Sequence, residues 1–171
     1  MNQEILAIFR RAEGRYFNEA EGRSLENYAE NLLARVETMA AIERADGAIL
    51  DDVIAALSAK YPGMLERYGS DAFARVRRDQ GQTLRYATLG MLTMDPDFVY
   101  DKFAVWLRTI MNALCETEQV VTGYRALIQA CRTHLTHDDA EILVPFVEIV
   151  LREQEGNPPG QLDISSQGRA A

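Results

Sequence analysis

The sequence lacks any long apolar run, and no stretch approaches the roughly 18 residues that would suggest a membrane span. It is also poor in basic residues: 18 lysines and arginines against 26 acidic residues give a net charge of −8. A chain with this charge repels nucleic acid and anionic membrane surfaces, so we expect no nucleic-acid partner. The N-terminus has neither a basic head nor a small-residue cleavage site, which predicts no signal peptide and a cytoplasmic protein.

Cysteine is scarce, with only Cys115 and Cys131, and the two are sixteen residues apart. This separation matches no zinc or redox motif, and a pair of cysteines excludes a disulfide-rich module. Each lies in an apolar helical pattern, which indicates a small buried hydrophobic side chain. The alternative is that one of them holds a ligand through a thioether.

Helical patterns run through nearly the whole chain, whereas the alternation typical of strands is almost absent. Apolar residues recur at helical spacing over residues 25–42, which predicts a helix, and Gly47 predicts a stop or bend after it. The pattern predicts an all-α domain of seven to eight helices at residues 1–154 and a disordered tail at residues 155–171. Globin-like packing and a helical bundle both fit this pattern. Helix starts are marked by three capping pairs: Asn18 with Glu21, Asp95 with Pro96, and Thr136 with Asp139.

Four short strings, in order along the chain, carry a resemblance to a known family. They are Gly14-Arg15-Tyr16-Phe17, Ala59-Lys60-Tyr61-Pro62, the segment 76–88, and Tyr100-Asp101-Lys102-Phe103. Together they make residues 5–151 resemble the phycobiliproteins, the globin-like subunits of the phycobilisome. The resemblance implies a globin-like fold with an N-terminal helical arm and turn at residues 1–17. Within the segment 76–88, five residues are in register with the family pattern: Arg78, Asp79, Leu84, Arg85 and Thr88.

The departure from the family pattern is at Val76, where the family has the cysteine that holds the bilin by a thioether. Because valine carries no nucleophile, the resemblance implies a chain without a covalent chromophore. It is similar to the phycobiliprotein-like globins that lack this cysteine, some of which accompany bilin biosynthesis genes. We therefore expect non-covalent binding of a tetrapyrrole, either bilin or haem, in bilin metabolism or the phycobilisome.

The resemblance also implies which side chains would contact that ligand. Asp79 is expected to accept from the pyrrole N–H groups, while Arg78 and Arg77 are expected to hold propionates. Arg75 is expected to face water. The alternative is that these arginines and Asp79 form intrahelical pairs on a solvated face. The family's cleft would lie between residues 48–61 and 71–94, and no histidine is present in either segment for a globin-type haem.

Other function classes have weaker support in the sequence. His134 and His137 have ligand-like spacing, but they flank a predicted helix start and are expected to be solvated, so no metal site is predicted. No catalytic triad or phosphate-binding loop is present, and we expect no enzymatic activity. The main alternative to ligand binding is a ligand-free interaction module. In either case a homodimer, or pairing with a related phycobiliprotein-like subunit, is expected through an arm surface made of Phe9, Tyr16 and Phe17.

Overall fold

The computed structural model describes residues 3–114 and 117–156, and every regular element in that part of the chain is helical. The predicted all-α fold class is therefore confirmed. In chain order the elements are α1 (Gln3–Arg11), α2 (Glu19–Lys60), α3 (Met64–Tyr68), α4 (Ala72–Thr93), α5 (Pro96–Val99), a π-helical turn (Tyr100–Ala104), α6 (Val105–Leu114), α7 (Thr117–His134) and α8 (His137–Gln154).

The core lies where α2, α4, α7 and α8 pack against one another. Its largest fully buried side chains include Tyr124, Phe103 and Phe146, which come from α7, the π-helical turn and α8. Burial of apolar surface at about 25 cal/mol per Å² provides the main driving force for this packing. The described part of the chain therefore forms its core without a disulfide or a metal ion.

Helix α2 is continuous from Glu19 to Lys60, so the stop or bend predicted at Gly47 is wrong. Gly47 is exposed, and a glycine in a helix interior costs only about 1 kcal/mol relative to alanine. Three buried residues of the following turns, Ile49, Val53 and Leu57, lie on the core face of the same helix. Their burial outweighs the local cost of glycine, and the helix continues.

The three predicted capping pairs are all formed. Asn18 accepts from the backbone N–H of Glu21 at 2.9 Å, and its own N–H donates to the Glu21 carboxylate at 3.0 Å. Asp95 accepts from the Phe98 N–H, with Pro96 at the first helical position. Thr136 accepts from the backbone N–H of Asp139 at the start of α8, and Asp139 also accepts from the Thr38 hydroxyl of α2. The caps thus set the beginnings of α2, α5 and α8.

Arg15 ties the N-terminal turn to the start of α2. Its guanidinium donates two hydrogen bonds of 2.8 Å to the two carboxylate oxygens of Glu21. This bidentate contact, together with the Asn18 N–H, lowers the pKa of Glu21 to about 2. The turn that carries the Gly14-Arg15 string is therefore fixed to the helix that follows it.

The arm surface predicted from the sequence is exposed. Tyr16 is 97% exposed, and the rings of Phe9 and Phe17 meet edge to face with centroids 5.6 Å apart. The apolar stripe of residues 25–42 is also exposed in its first part, at Leu32 and Val36 of α2. The reason is that α4, α7 and α8 pack along the second half of α2.

Helix α4 passes its neighbours most closely at Gly90. A Cβ atom at this position would collide with the Val99 side chain and would lie 3.0 Å from the Phe146 ring. Glycine is therefore required here by the close approach of α4 to α5 and α8, and not by its backbone conformation.

The structure tests some of the predictions on the two cysteines, the C-terminal tail and membrane spans. Cys131 is fully buried, as predicted, and burial raises the pKa of its thiol to about 12. Cys115 and nearly all of the predicted tail, residues 157–171, lie outside the described residues. Within residues 3–114 and 117–156, none of the helices combines the length and the apolar character needed to cross a bilayer.

Candidate functional site

A cavity of about 670 Å³ lies beside the first half of α4. Helices α6 and α7 form its opposite wall, and α3 closes one end. From residues 48–61 only Leu57 reaches it, so the expected cleft between residues 48–61 and 71–94 is displaced towards α6 and α7. The reason is that the end of α2 packs directly against α4 and α7. The volume lies within the range of about 300–1,000 Å³ that is usual for small-molecule sites.

The α4 wall of the cavity contains Val76, Arg78 and Asp79. Val76, at the position of the family's attachment cysteine, is half-buried and faces the cavity. Arg78 Nε lies 3.4 Å from Asp79 Oδ1, which is a long contact that leaves the carboxylate able to accept from other donors. Both the predicted N–H acceptor and one predicted propionate partner therefore border the same space.

The other two arginines of this segment are placed differently from the expectations. Arg77 lies outside the cavity, where its guanidinium pairs with Asp51 of α2 and donates to the Gly47 carbonyl at 3.3 Å. Arg75, expected to face water, is 40% exposed, but it also borders the cavity, pairs with Asp71 at the start of the same helix and donates to the Tyr68 carbonyl at 2.5 Å. The difference follows from helix geometry, because Arg75 lies three positions before Arg78 and four before Asp79 on the cavity side of α4, while Arg77 is turned towards α2.

Helical spacing from Val76 could have identified this face from the sequence. Residues three and four positions apart lie on one side of a helix, so Asp79 and Gln80 share the side of Val76. Arg77 follows Val76 directly and is rotated away by about 100° at 3.6 residues per turn. Helical spacing therefore places Gln80 on the cavity side of α4, but only the structure shows that its Oε1 lacks a partner.

Two buried polar atoms at the cavity have no hydrogen-bond partner. They are the Tyr68 hydroxyl, from α3, and Oε1 of Gln80, from α4. Gln80 is only 6% exposed, and its side chain is held against α7 by Gly123, where a Cβ atom would lie 3.0 Å from Gln80 Nε2. Buried polar groups are nearly always paired, so two unpaired ones at one cavity point to a ligand.

The α6 and α7 walls are mainly apolar. Trp106 stands at the rim with 55% of its surface exposed, and Leu107, Ile110 and Met111 continue the α6 wall. On α7, the Tyr124 hydroxyl lies 3.2 Å from the Thr83 hydroxyl, which fixes the position of its ring. The cavity thus joins an apolar interior to a polar edge formed by α3 and α4.

The described lining residues fit a metal-free ligand better than a haem. They include no histidine or cysteine, and the candidates for an axial iron ligand among them are Met64, Tyr68, Met111 and Tyr124, whose hydroxyl lies beside that of Thr83. His134 is away from the cavity, and its Nε2 lies 2.8 Å from Asp52 Oδ2. In the described part of the chain, no group of three metal-binding side chains is present.

A family model described as phycobilisome protein matches residues 11–153, most of the chain. The chain belongs to the phycobilisome protein family. This confirms the resemblance found in the sequence and agrees with the all-α, globin-like architecture. Phycobilisome proteins in general carry bilin chromophores, assemble with related subunits and harvest light without catalysing a reaction. No curated protein matches the chain significantly.

Proposed function

We propose that this phycobilisome-family protein binds a tetrapyrrole non-covalently in the cavity beside α4, in bilin metabolism or in the phycobilisome, and catalyses no reaction. The observation that carries the proposal is the cavity itself, which places Val76, Arg78 and Asp79 in one wall. Valine at the attachment position supplies no thioether, while the space and the polar side chains for a ligand are retained.

The apolar walls would supply most of the affinity. Burial of ligand surface against α6 and α7 contributes about 25 cal/mol per Å², from which ordering costs are subtracted. A tetrapyrrole supplies a flat conjugated ring system with two propionates and ring N–H groups. Arg75 and Arg78 would hold a propionate through charge-assisted hydrogen bonds, and Asp79 would accept from ring N–H groups. Arg77 has no role in the proposed site because it lies outside the cavity, where its guanidinium pairs with Asp51.

Among tetrapyrroles, a bilin suits the described lining residues better than haem does. Haem iron is usually held by histidine, cysteine, methionine or tyrosine, and its nitrogens have no protons to donate. The unpaired Oε1 of Gln80 and the carboxylate of Asp79 both require donors, which a metal-free ligand has. Haem remains a comparison ligand in the experiment.

The test is a titration of biliverdin, phycocyanobilin and haem into the purified protein, followed by absorbance. We expect saturable binding of at least one bilin, with a dissociation constant well below that of an unrelated acidic helical protein. The intact protein should keep its unmodified polypeptide mass after co-expression with bilin synthesis and a bilin lyase. Binding no tighter than to the reference protein would refute the proposal, and a covalent adduct would contradict its non-covalent form.

A second candidate function, pairing with itself or with a related subunit, is supported by the arm. The arm surface is formed by Phe9, Tyr16 and Phe17, and Leu33 of α2 is 65% exposed. Exposed apolar surface of this kind is costly unless a partner covers it. Deleting residues 1–13 should therefore weaken association, measured by sedimentation over a range of concentrations. A full-length chain that stays monomeric at high concentration, alone and with a related subunit, would exclude this function.

A further inference from the structure

Two side chains that line the cavity, Tyr68 of α3 and Gln80 of α4, each carry a buried polar atom without a hydrogen-bond partner: the Tyr68 hydroxyl and Gln80 Oε1. Neither group gains a hydrogen bond from the fold, and burying it without a partner lowers stability. Two such groups at one cavity are therefore better explained by what they contact when a ligand is bound than by packing.

Their hydrogen-bonding chemistry defines the ligand edge that would satisfy both. The carbonyl oxygen of the Gln80 amide accepts a hydrogen bond, and the Tyr68 hydroxyl can donate one. A ligand edge that offers an N–H donor beside a C=O acceptor would complete both contacts. A cyclic amide, or lactam, has this pair of groups side by side.

We propose that Tyr68 and Gln80 form a subsite for a neutral lactam edge, and that this subsite makes the cavity select a linear tetrapyrrole over a porphyrin. The inference rests on the proposed function. A linear tetrapyrrole ends in two lactam rings, whereas a porphyrin macrocycle has none and its ring nitrogens point inwards. The subsite therefore favours the linear ligand, because a lactam end pairs the two buried groups, whereas a macrocycle leaves them unpaired as they are in the free protein.

The charges around the cavity divide the ligand's polar groups between two places. Arg75 and Arg78 carry the cationic groups of the α4 wall, and both have exposed surface. They suit carboxylates that remain close to water. Gln80 is deeply buried, and Gly123 keeps α7 close to its amide, so this position suits a neutral edge. A carboxylate beside the Gln80 carbonyl oxygen would place two acceptors together.

The experiment compares biliverdin with protoporphyrin IX as ligands of the full-length protein. Tyr68→Phe and Gln80→Met each remove one polar group and keep the approximate side-chain volume. Two matched controls make the same changes away from the cavity: Tyr61→Phe, where the hydroxyl contacts Glu118 and Thr122, and Gln129→Met on the exposed face of α7. Dissociation constants and thermal midpoints are measured for all five proteins.

We expect the wild-type protein to bind biliverdin at least tenfold more tightly than protoporphyrin IX. Each cavity variant should weaken biliverdin binding about three- to tenfold and leave porphyrin binding unchanged or tighter. Because neither group has a partner in the fold, the thermal midpoints of the two cavity variants should not fall. The controls should keep the wild-type preference.

The outcomes separate the inference from the proposed function. If the wild-type protein binds neither compound, the proposed function fails and the inference fails with it. If it binds biliverdin but shows no preference over protoporphyrin IX, or if both cavity variants keep the wild-type preference, only the lactam subsite is refuted. Lower thermal midpoints with an unchanged preference would assign Tyr68 and Gln80 a structural role and would also refute it.

Discussion

The two halves of α4 differ in what surrounds them. Residues 83–93 contribute Leu84, Ala87 and Met91 to the core, and Gly90 allows α5 and α8 to approach closely. Residues 72–82 contribute the apolar Ala72 and Val76 to the cavity wall, and with them the charged or unpaired polar side chains of Arg75, Arg78, Asp79 and Gln80. The second half of α4 is thus close-packed in the core, whereas the first half has a polar side chain without a full set of hydrogen bonds.

Together with the proposed function, this difference predicts that stability depends on one half of the helix and ligand binding on the other. A change in the volume of a close-packed side chain lowers the protein's free energy of unfolding, because the neighbouring residues relax only partly. Unpaired polar groups at a cavity lower stability and are retained where a function needs them. Variants in residues 83–93 should therefore change unfolding, and variants in residues 72–82 should change affinity.

The largest expected effect is that of Met91→Ala in the core half. Met91 is fully buried, and truncation of such a side chain costs about 2–5 kcal/mol in the free energy of unfolding. Denaturant titration should show this loss. At temperatures where the variant is folded, its affinity for biliverdin should remain that of the wild type. A large loss of affinity in the folded variant would show that the two halves are coupled.

Asp79→Asn should produce the largest effect in the cavity half. A hydrogen bond to a charged group contributes about 1.5–3 kcal/mol, so the affinity for biliverdin should fall about ten- to hundredfold. The unfolding midpoint should change little because the contact of Asp79 with Arg78 is long and partly exposed. Asp51→Asn, on the side of α2 that pairs with Arg77, is the matched control and should keep the affinity. An unchanged affinity in Asp79→Asn would remove this carboxylate from the site.

Gly90→Ala tests the close approach in the core half. The added methyl group would meet Val99 and Phe146, and overpacking of this kind costs about 1–3 kcal/mol. The better helix propensity of alanine recovers up to about 1 kcal/mol. Gly47→Ala is the control, since a Cβ at Gly47 meets nothing within 4 Å and should stabilise the protein. Equal stabilisation by both changes, measured by thermal unfolding, would contradict the packing described at Gly90.

The smallest expected effect separates two neighbouring arginines. Arg78→Ala should weaken bilin binding only about three- to tenfold, because its side chain is largely exposed and water screens its charge. Arg77→Ala should leave binding unchanged, since Arg77 is paired with Asp51 outside the cavity. Isothermal titration with biliverdin measures both. A greater loss with Arg77→Ala than with Arg78→Ala would mean that the helix face facing the ligand has been misassigned.

Local signals in the sequence predicted the parts of the fold that depend on neighbouring residues. The caps at Asn18, Asp95 and Thr136 follow from a side chain and a backbone N–H a few positions away, and all three are present. The continuity of α2 through Gly47 could not be predicted in this way, because distant helices supply the burial that maintains it. The exposure of Leu32 and Val36 at the start of α2 could not be predicted either, because it depends on where the distant helices pack along α2.

The candidate site was predictable only in outline. The segment 76–88 pointed to Arg78 and Asp79, and the structure places both at the cavity, where their ligand contacts remain a prediction. The direction of Arg77 depends on Asp51, which lies 26 positions earlier in the chain. Tyr68 and Gln80 stand out only because they lack partners, and that requires the positions of all surrounding groups.

The most direct test of the central claim fills the cavity at Val76. Val76→Trp places a large side chain in the cavity wall, and Phe73→Trp, one turn earlier on α4 and outside the lining residues, is the matched control. The measurement is the dissociation constant of biliverdin for the wild type and both variants, with folding checked by circular dichroism. We predict saturable binding by the wild type and by Phe73→Trp, and at least a hundredfold loss in a folded Val76→Trp. Equal binding by the wild type and Val76→Trp would contradict the account, because the bilin would then occupy some other part of the protein.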